Sequence, residues 1–256
     1  MNLTAFGMTD VGRLRSHNED SVAMVPDRRV FIVADGLGGH NGGEVASQLA
    51  IESITGFVRT AEERPDMTWP FEYVGSLSRA ANILLASIKI ANLNILSQAQ
   101  KAPELQGMGS TVVVLLIGND GKAYLGHMGD SRIYRYREGC LVQLTDDHSL
   151  VNEQVRQGIL TPEEAARSPY RNVISRACGI RPDIEPDIRS EVIKAGDIYL
   201  LCSDGLTGPV SDVEIAEVLG ARSNDLEKAA ETLINRANEL GGPDNITVGL
   251  VRIDTL

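Results

Sequence analysis

Five aspartates stand where apolar runs give way to glycine or asparagine, and their placement is the first sign of chemistry in the chain. Asp20 opens a run after Asn18-Glu19, Asp35 closes the run Val30 to Ala34 ahead of Gly36, and Asp130 follows Gly129. Asp204 ends Leu200-Leu-Cys-Ser and precedes Gly205, and Asp244 precedes Asn245 just before the last apolar run. Any one of them alone is an ordinary turn residue or helix cap. Five together raise the question of whether they converge. Two unit charges about 4 Å apart repel by ~4 kcal/mol at an effective dielectric of 20, so clustered carboxylates are either protonated or separated by cations. Oxygen-only ligation suits Mg²⁺ or Mn²⁺, whereas zinc would want His or Cys. Two such ions about 3.5–4 Å apart can lower the pKa of a water and clamp an in-line displacement at phosphorus. Phosphate also calls for a planar guanidinium, and Arg13 and Arg15 lie just upstream of Asp20.

The elements that must position these residues follow from the apolar pattern. Residues 3–8, 20–25 and 29–34 read as strands, and Val30 to Ala34 has the β-branched content of a buried one. The glycines between Gly36 and Gly43 let the backbone turn tightly and approach an ion or phosphate closely. A helix is expected over 42–59 and a longer one over 71–98, whose Leu77, Ala81, Leu84, Ile88, Ala91 and Ile95 recur at steps of three and four. Runs 111–117 and 122–127 flank Asn119-Asp120-Gly121, a hairpin signal, and runs 131–137 and 141–144 flank a second turn. Residues 146–172 break the sheet pattern and carry Thr161-Pro162-Glu163-Glu164, a capping box. Strands follow near 172–176, 184–190 and 197–203. Helices are expected over 211–219 and 224–240, from the capping pairs Ser211/Glu214 and Asn224/Glu227, before a closing strand over 246–253. Hairpins dominate and helices come in pairs, which favours antiparallel sheets with helices packed outside them, in one domain over 1–256.

Composition narrows the function classes. With 24 basic and 35 acidic residues the formal charge is −11, which disfavours a nucleic-acid partner. The longest unbroken apolar run, Val112 to Ile117, is far short of the ~20 residues of a membrane span, and no signal peptide is legible at the start. Cys140, Cys178 and Cys202 are scattered and form no ligand pair, the usage of a reducing, cytoplasmic compartment.

At this point the residues carry a resemblance. Arg15-Ser-His-Asn-Glu19-Asp20, Val33-Ala-Asp35-Gly36-Leu-Gly-Gly39-His40, Gly109-Ser-Thr111, Gly129-Asp130-Ser131-Arg132, Ser203-Asp204-Gly205-Leu206 and Asp244-Asn245-Ile246-Thr247 occur in that order and span nearly the whole chain. As a set they resemble the successive motifs of metal-dependent Ser/Thr protein phosphatases of type 2C, the PPM family, in their bacterial form. The resemblance implies an α+β fold: a central β-sandwich of two antiparallel sheets flanked by pairs of α-helices, in four αββα layers, with the metal site at one end. By position, it implies that Asp35 bridges two Mn²⁺ or Mg²⁺ ions and that the Gly36 carbonyl is a further ligand. Asp204 and Asp244 would complete the first ion's carboxylates, with Asn245 in support. Asp20 and Glu19 would act through bound waters near the second ion, and Asp130, with Asp204, would hold a third, looser ion. Arg15 would hold the substrate phosphate, and 146–172 would form a flap beside the site. Many eukaryotic members have His directly after the first Asp-Gly. That position is Leu37 here, which leaves His40 as the candidate proton donor. His17, His127 and His148 are expected to be structural, and Arg132 to anchor its loop through a carboxylate.

The implied activity is hydrolysis of phosphoserine and phosphothreonine in proteins, by direct attack of a hydroxide bridging the two metals, opposing a bacterial Ser/Thr kinase. The rival from another class is a silent pseudophosphatase that binds phosphoproteins. Such proteins usually lack a metal carboxylate, whereas Asp20, Asp35, Asp204 and Asp244 are all present. A cytoplasmic monomer acting on phosphorylated proteins is expected, with neither nucleic acid nor membrane as partner.

Overall fold

The computed structural model describes residues 1–38 and 42–256. Two sheets face each other. The first runs in the order β1 (Asn2–Asp10), β11 (Ile246–Thr255), β10 (Ile198–Cys202), β7 (Arg132–Arg137) and β8 (Cys140–Gln143). The second runs β2 (Asp20–Val25), β3 (Val30–Leu37), β5 (Val112–Ile117), β6 (Lys122–Met128) and β9 (Asp187–Val192), with the two-residue β4 (Gly109–Ser110) paired to the end of β3. Every pairing is antiparallel. The long helices α1 (Gly42–Glu63) and α2 (Arg79–Lys101) cover the second sheet, and α6 (Asp212–Ala221) and α7 (Leu226–Glu239) cover the first. The expected αββα sandwich is the observed one.

Side-chain alternation explains why these antiparallel strands read as unbroken apolar runs. In β3, Val30, Ile32 and Ala34 pack with α1 and α2, while Phe31 and Val33 point into the layer between the sheets. In β5, Val112, Val114 and Leu116 take the first role and Val113, Leu115 and Ile117 the second. In β10, Ile198, Leu200 and Cys202 face α6 and α7, and Tyr199 and Leu201 face the opposite sheet. Helices outside and a second sheet inside leave neither face to water, so both residue sets are apolar. The stripe on α2 meets this surface at Ile88, whose Cδ1 would lie 2.8 Å from a Cβ on Gly126 of β6. By length and apolar content α2 could cross a bilayer, but 56% of that apolar window is buried within the fold.

Three expectations shift. The long helix begins at Arg79 rather than near 71, because Ser78 caps it by accepting from the Ala81 N–H at 3.2 Å. The preceding stretch is tied down by Asn82, which exchanges hydrogen bonds of 2.9 and 3.0 Å with the Val74 backbone. The cap of α7 is Asp225, accepting from the Lys228 N–H, and not Asn224. No strand forms over 172–176, where one isolated bridge joins Ser149 to Ile174. Residues 146–172 instead hold two short helices, α3 (Leu150–Arg156) and α4 (Pro162–Arg167), the second carrying the expected capping box of Thr161 and Glu164. Helices this short stand on caps and tertiary contacts rather than on periodicity.

Strand direction places the chemistry. The start of β2, the end of β3, the start of β5 and the end of β6 share one end of the second sheet. The end of β10, the start of β11 and the start of β7 share the corresponding end of the first. Replacing Ile88 by Ala should cost about 2–5 kcal/mol of stability through the cavity it opens beneath α2. Urea unfolding checks this, and an unchanged midpoint would contradict the packing of α2 on β6.

Candidate functional site

Asp20 and Asp35 lie directly opposite each other across the β2–β3 pair. The Asp20 carboxylate is buried, and one oxygen is saturated: Oδ2 accepts from Ser203 Oγ at 2.7 Å and from Thr247 Oγ1 at 2.6 Å. Its other oxygen, Oδ1, is buried with no partner. Asp35 is held through its backbone, whose N–H donates to Thr111 Oγ1 at 3.1 Å and whose carbonyl accepts from the Thr111 N–H at 2.8 Å. Gly36 sits in a slot that admits no side chain, since a Cβ there would lie 2.0 Å from the Gly43 carbonyl oxygen and 2.6 Å from that of Glu19. Its N–H donates to the Glu19 carbonyl at 3.1 Å.

Asp204 heads the four-residue helix α5 (Asp204–Thr207) at the mouth of β10. Gly205 behind it is required by close approach, as a Cβ would fall 1.9 Å from the Asn245 carbonyl oxygen. Asp244 precedes β11. Its Oδ1 accepts from the Asn245 N–H and its Oδ2 from Arg15 Nη2, both at 2.8 Å. Asn245 is a clamp: its Oδ1 accepts from the Glu19 N–H at 2.8 Å, and its Nδ2 donates to the Val11 and His17 carbonyls at 2.9 Å. One side chain thus ties the loop carrying Arg15 and Glu19 to the mouth of β11. The Glu19 carboxylate lies against Gly43 at the start of α1, where a Gly43 Cβ would fall 2.8 Å from its Oε1, a place that favours negative charge. Asp130, in the β6–β7 connection, is buried with Oδ1 unpartnered. With Asp204 it lines a cleft of about 500 Å³ that α3 and α4 border through Val151, Asn152, Pro162 and Ala165.

The structure therefore brings Asp20, Asp35, Gly36, Asp204, Asp244, Glu19 and Asn245 to one end of the sandwich, with Asp130 alongside. His40 lies outside the described residues. Arg15 is present but engaged, its guanidinium paired with Asp244 at a half-exposed position. Arg132 anchors its loop as expected, with bonds of 2.7–3.1 Å to Asp147 and one of 2.9 Å to Tyr134 Oη. Three supporting residues were not singled out from the sequence: Ser203 and Thr247, which orient Asp20, and Thr111, which holds Asp35 and also bonds Ser131 Oγ at 2.7 Å. Ser203 and Thr247 share motifs with Asp204 and Asp244, and Thr111 closes Gly109-Ser-Thr, which holds no aspartate.

Electrostatics describe an unbalanced basin. Burial pushes Asp20 up to about 7, with Asp204 and Asp244 adding to it and the bonds from Thr247 and Ser203 opposing. Burial, then the charge of Asp204, takes Asp130 to about 7 as well. Asp204 rises to about 6 through burial and Asp244. Asp35 is held well above the usual carboxylate range by burial and by the charges of Asp20, Asp204, Asp130 and Asp244. Desolvated carboxylates with orphaned oxygens, and no nitrogen or sulfur ligand among the described basin residues, fit hard divalent cations such as Mg²⁺ or Mn²⁺.

Comparison with known proteins agrees. Residues 13–241 match the family model described as protein phosphatase 2C. The chain is 37% identical over 255 residues to the serine/threonine phosphatase stp of Listeria monocytogenes, covering 96% of this chain and 94% of that one. It is similar to the crystal structure of the Mycobacterium tuberculosis serine/threonine phosphatase PstP/Ppp, with a TM-score of 0.85, 38% identity and 99% of each chain covered. A PstP catalytic domain in complex with two manganese ions aligns with a TM-score of 0.81 and 38% identity over 98% of this chain and 97% of that one.

Carboxylates whose folded pKa lies above the ordinary 3.8 bind protons more tightly folded than unfolded. Their contribution to stability is full below about pH 4 and is lost as pH rises through 6–7 for Asp204, Asp20 and Asp130. In EDTA the melting temperature should therefore fall between pH 5 and pH 8. Mn²⁺ should raise it more at pH 8 than at pH 5, and Asp130→Asn should flatten the EDTA profile. Calorimetry across that range checks all three, and a flat wild-type profile in EDTA would contradict the assigned electrostatics.

Proposed function

The chain belongs to the protein phosphatase 2C family, and on that premise we propose how its acidic basin serves the reaction. The protein is a metal-dependent serine/threonine phosphatase that removes phosphate from phosphorylated proteins. The observation that carries the reading is the pair of buried, unpartnered oxygens, Asp20 Oδ1 and Asp130 Oδ1, in a basin of mutually repelling carboxylates. Asp35, the Gly36 carbonyl, Asp204 and Asp244 would hold two Mn²⁺ or Mg²⁺ ions with Asp20 and Glu19 beside them, and Asp130 with Asp204 would hold a third, looser one. Such ions supply a water of lowered pKa and stabilise charge on the phosphoryl oxygens.

The rest is the work of this chain's own side chains. Ser203 and Thr247 donate to one oxygen of Asp20 and so leave the other free to point into the basin. Thr111 holds the Asp35 backbone from both sides. Arg15 rides on the loop that Asn245 clamps, where its planar fork can exchange Asp244 for the substrate phosphate. A cysteine-based covalent route finds no support, because burial pushes the Cys178 and Cys202 thiols up to about 12. His40 is assigned the proton for the leaving serine or threonine oxygen. The segment 146–172 borders the Asp130–Asp204 cleft, which supports its reading as a substrate-facing flap. The pairing of β1 with β11 supports reading 1–256 as one phosphatase domain. A Ser/Thr kinase as the opposing partner, a monomeric state and a cytoplasmic location complete the proposal, the last in keeping with three unpaired cysteines.

Hydrolysis of a phosphothreonine peptide should require Mn²⁺ or Mg²⁺ and stop in EDTA. Asp204→Asn should lower kcat/KM by more than about a hundredfold, since even outer partners of metal ligands are worth 10–100-fold. Undiminished turnover by that variant would refute the site. His40→Ala should lose far more rate on phosphoserine than on an aryl phosphate, whose leaving group needs no proton. Equal losses would remove His40 from that role.

A further inference from the structure

A second group of ligating side chains lies outside the acidic basin. His127 near the end of β6, His148, and Asp187 at the start of β9 each bring one ligand atom within 4.8 Å of the others. Both imidazoles are buried and their ring centroids stand 4.0 Å apart. In composition this could be a cation site, but its protons are already committed. The Gly129 N–H donates to His148 Nδ1 at 3.1 Å, so the neutral ring carries its proton on Nε2, which is buried without a hydrogen-bond partner 3.4 Å from Asp187 Oδ2. His127 Nε2 lies 3.2 Å from the Gly129 carbonyl, which can only accept, so that ring also carries its proton on Nε2. A cation at His148 Nε2 would have to displace that ring's only proton, whereas ligating histidines bind metal through the bare nitrogen and donate the other N–H outward.

The same bonds describe a different device. We propose that His148 is a positioning residue for Asp130: with the Asp187 charge beside its Nε2–H, it grips Gly129 from both sides and so sets where the Asp130 carboxylate points. The grip is a closed ring, because the His148 backbone N–H donates to the Gly129 carbonyl at 2.8 Å while the Gly129 N–H donates to His148 Nδ1. Gly129 has φ +112° and is wedged against Thr111, where a Cβ would lie 2.6 Å from the Thr111 Cβ. That turn is therefore available to glycine alone, and glycine brings flexibility that something must remove. Asp130 follows immediately. Its Oδ1 is buried with no partner, so no hydrogen bond fixes that oxygen and the backbone at 129–130 sets its direction. Asp187 is itself steadied by Arg176 Nη1, 3.2 Å from its Oδ1. Burial and the adjacent His127 keep His148 far below its ordinary pKa, so its acceptor nitrogen persists at neutral pH.

The inference rests on Asp130 holding a cation, and the test separates the two. Wild type, Asp130→Asn, His148→Leu, His148→Asn and Asp187→Leu are compared by calorimetric Mn²⁺ titration, by kcat and KM on a phosphopeptide, and by hydrogen exchange of the Gly129 amide. His148→Leu lacks the acceptor. It should speed Gly129 exchange and weaken the loosest Mn²⁺ step about tenfold, the scale of outer-shell losses. His148→Asn, whose Oδ1 can accept from Gly129, should recover most of both, and Asp187→Leu should show a smaller loss in the same direction. If His148→Leu fails to fold, the Asn and Asp187 variants carry the comparison. Unchanged Mn²⁺ binding in the His148 and Asp187 variants, with weakened binding in Asp130→Asn, would overturn the positioning role. Unchanged binding in Asp130→Asn would overturn the cation role of Asp130 itself, and with it this inference. Loss of the His148 Nε2–H resonance in wild type on adding diamagnetic Mg²⁺ would make the trio a metal site and equally refute the proposal.

Discussion

The structure is organised around like charges held together away from water. An ionised carboxylate in a desolvated place is costly unless paired, and here, beyond the rise from burial, Asp204 raises Asp20, Asp35 and Asp130, Asp244 raises Asp204, and Asp35 is raised by all four of the others. The chain supplies little compensation on the spot. Arg15 serves Asp244, and Arg132 is spent on Asp147. The remaining donors, Ser203 and Thr247, converge on a single oxygen of Asp20. A basin left so short of positive charge is relieved by protons at low pH and by a cation at higher pH, which is why affinity for metal follows from the architecture rather than from any one residue.

A scaffold that holds repelling groups in register has to be stiff. The four-layer packing provides this, because β3, β5 and β10 are buried on both faces and their ends cannot drift apart without opening two cores. The loops at the basin are secured by backbone contacts so close that only glycine fits. Gly36 lies against Gly43 and Glu19, Gly205 against Asn245, and Gly12 against the Asp244 carbonyl, each with a Cβ distance near 2 Å. Asn245, bonded to Glu19, Val11 and His17, joins the Arg15 loop to the strand that follows Asp244. Preorganisation of this kind spares the reaction the cost of gathering its charged groups at each turnover.

The fold was legible where a local rule acts over many residues. The stripe on α2 from Ala81 to Ile95, the turn at Asn119-Asp120-Gly121 and the capping boxes at Thr161 and Ser211 appear as read, while Leu77, the first of the stripe, falls before the helix. It was less legible where short segments depend on distant partners. The start of α2 is set by Ser78 and by Asn82 reaching back to Val74, and α3 stands beside a cleft that local periodicity does not reveal. The site was legible as a set of acidic strand mouths, and the glycines beside them marked close approach. The supporting hydroxyls were not, since Ser203, Thr247 and Thr111 are of types common in any turn or strand.

By itself the sequence determined which side chains can bind hard cations, that they stand at strand ends, and, through its ordered motifs, the family and the sandwich. The tertiary structure alone decided which of them meet and what each is tied to. Ser203 reaches Asp20 across 183 residues of chain and Thr247 across 227. Arg15 meets Asp244 across 229. No local pattern encodes such pairings, because they arise only when strand register in two separate sheets brings the ends together. The same holds for His148, which reads in the chain as an isolated histidine and is, in the fold, the grip on the turn that carries Asp130.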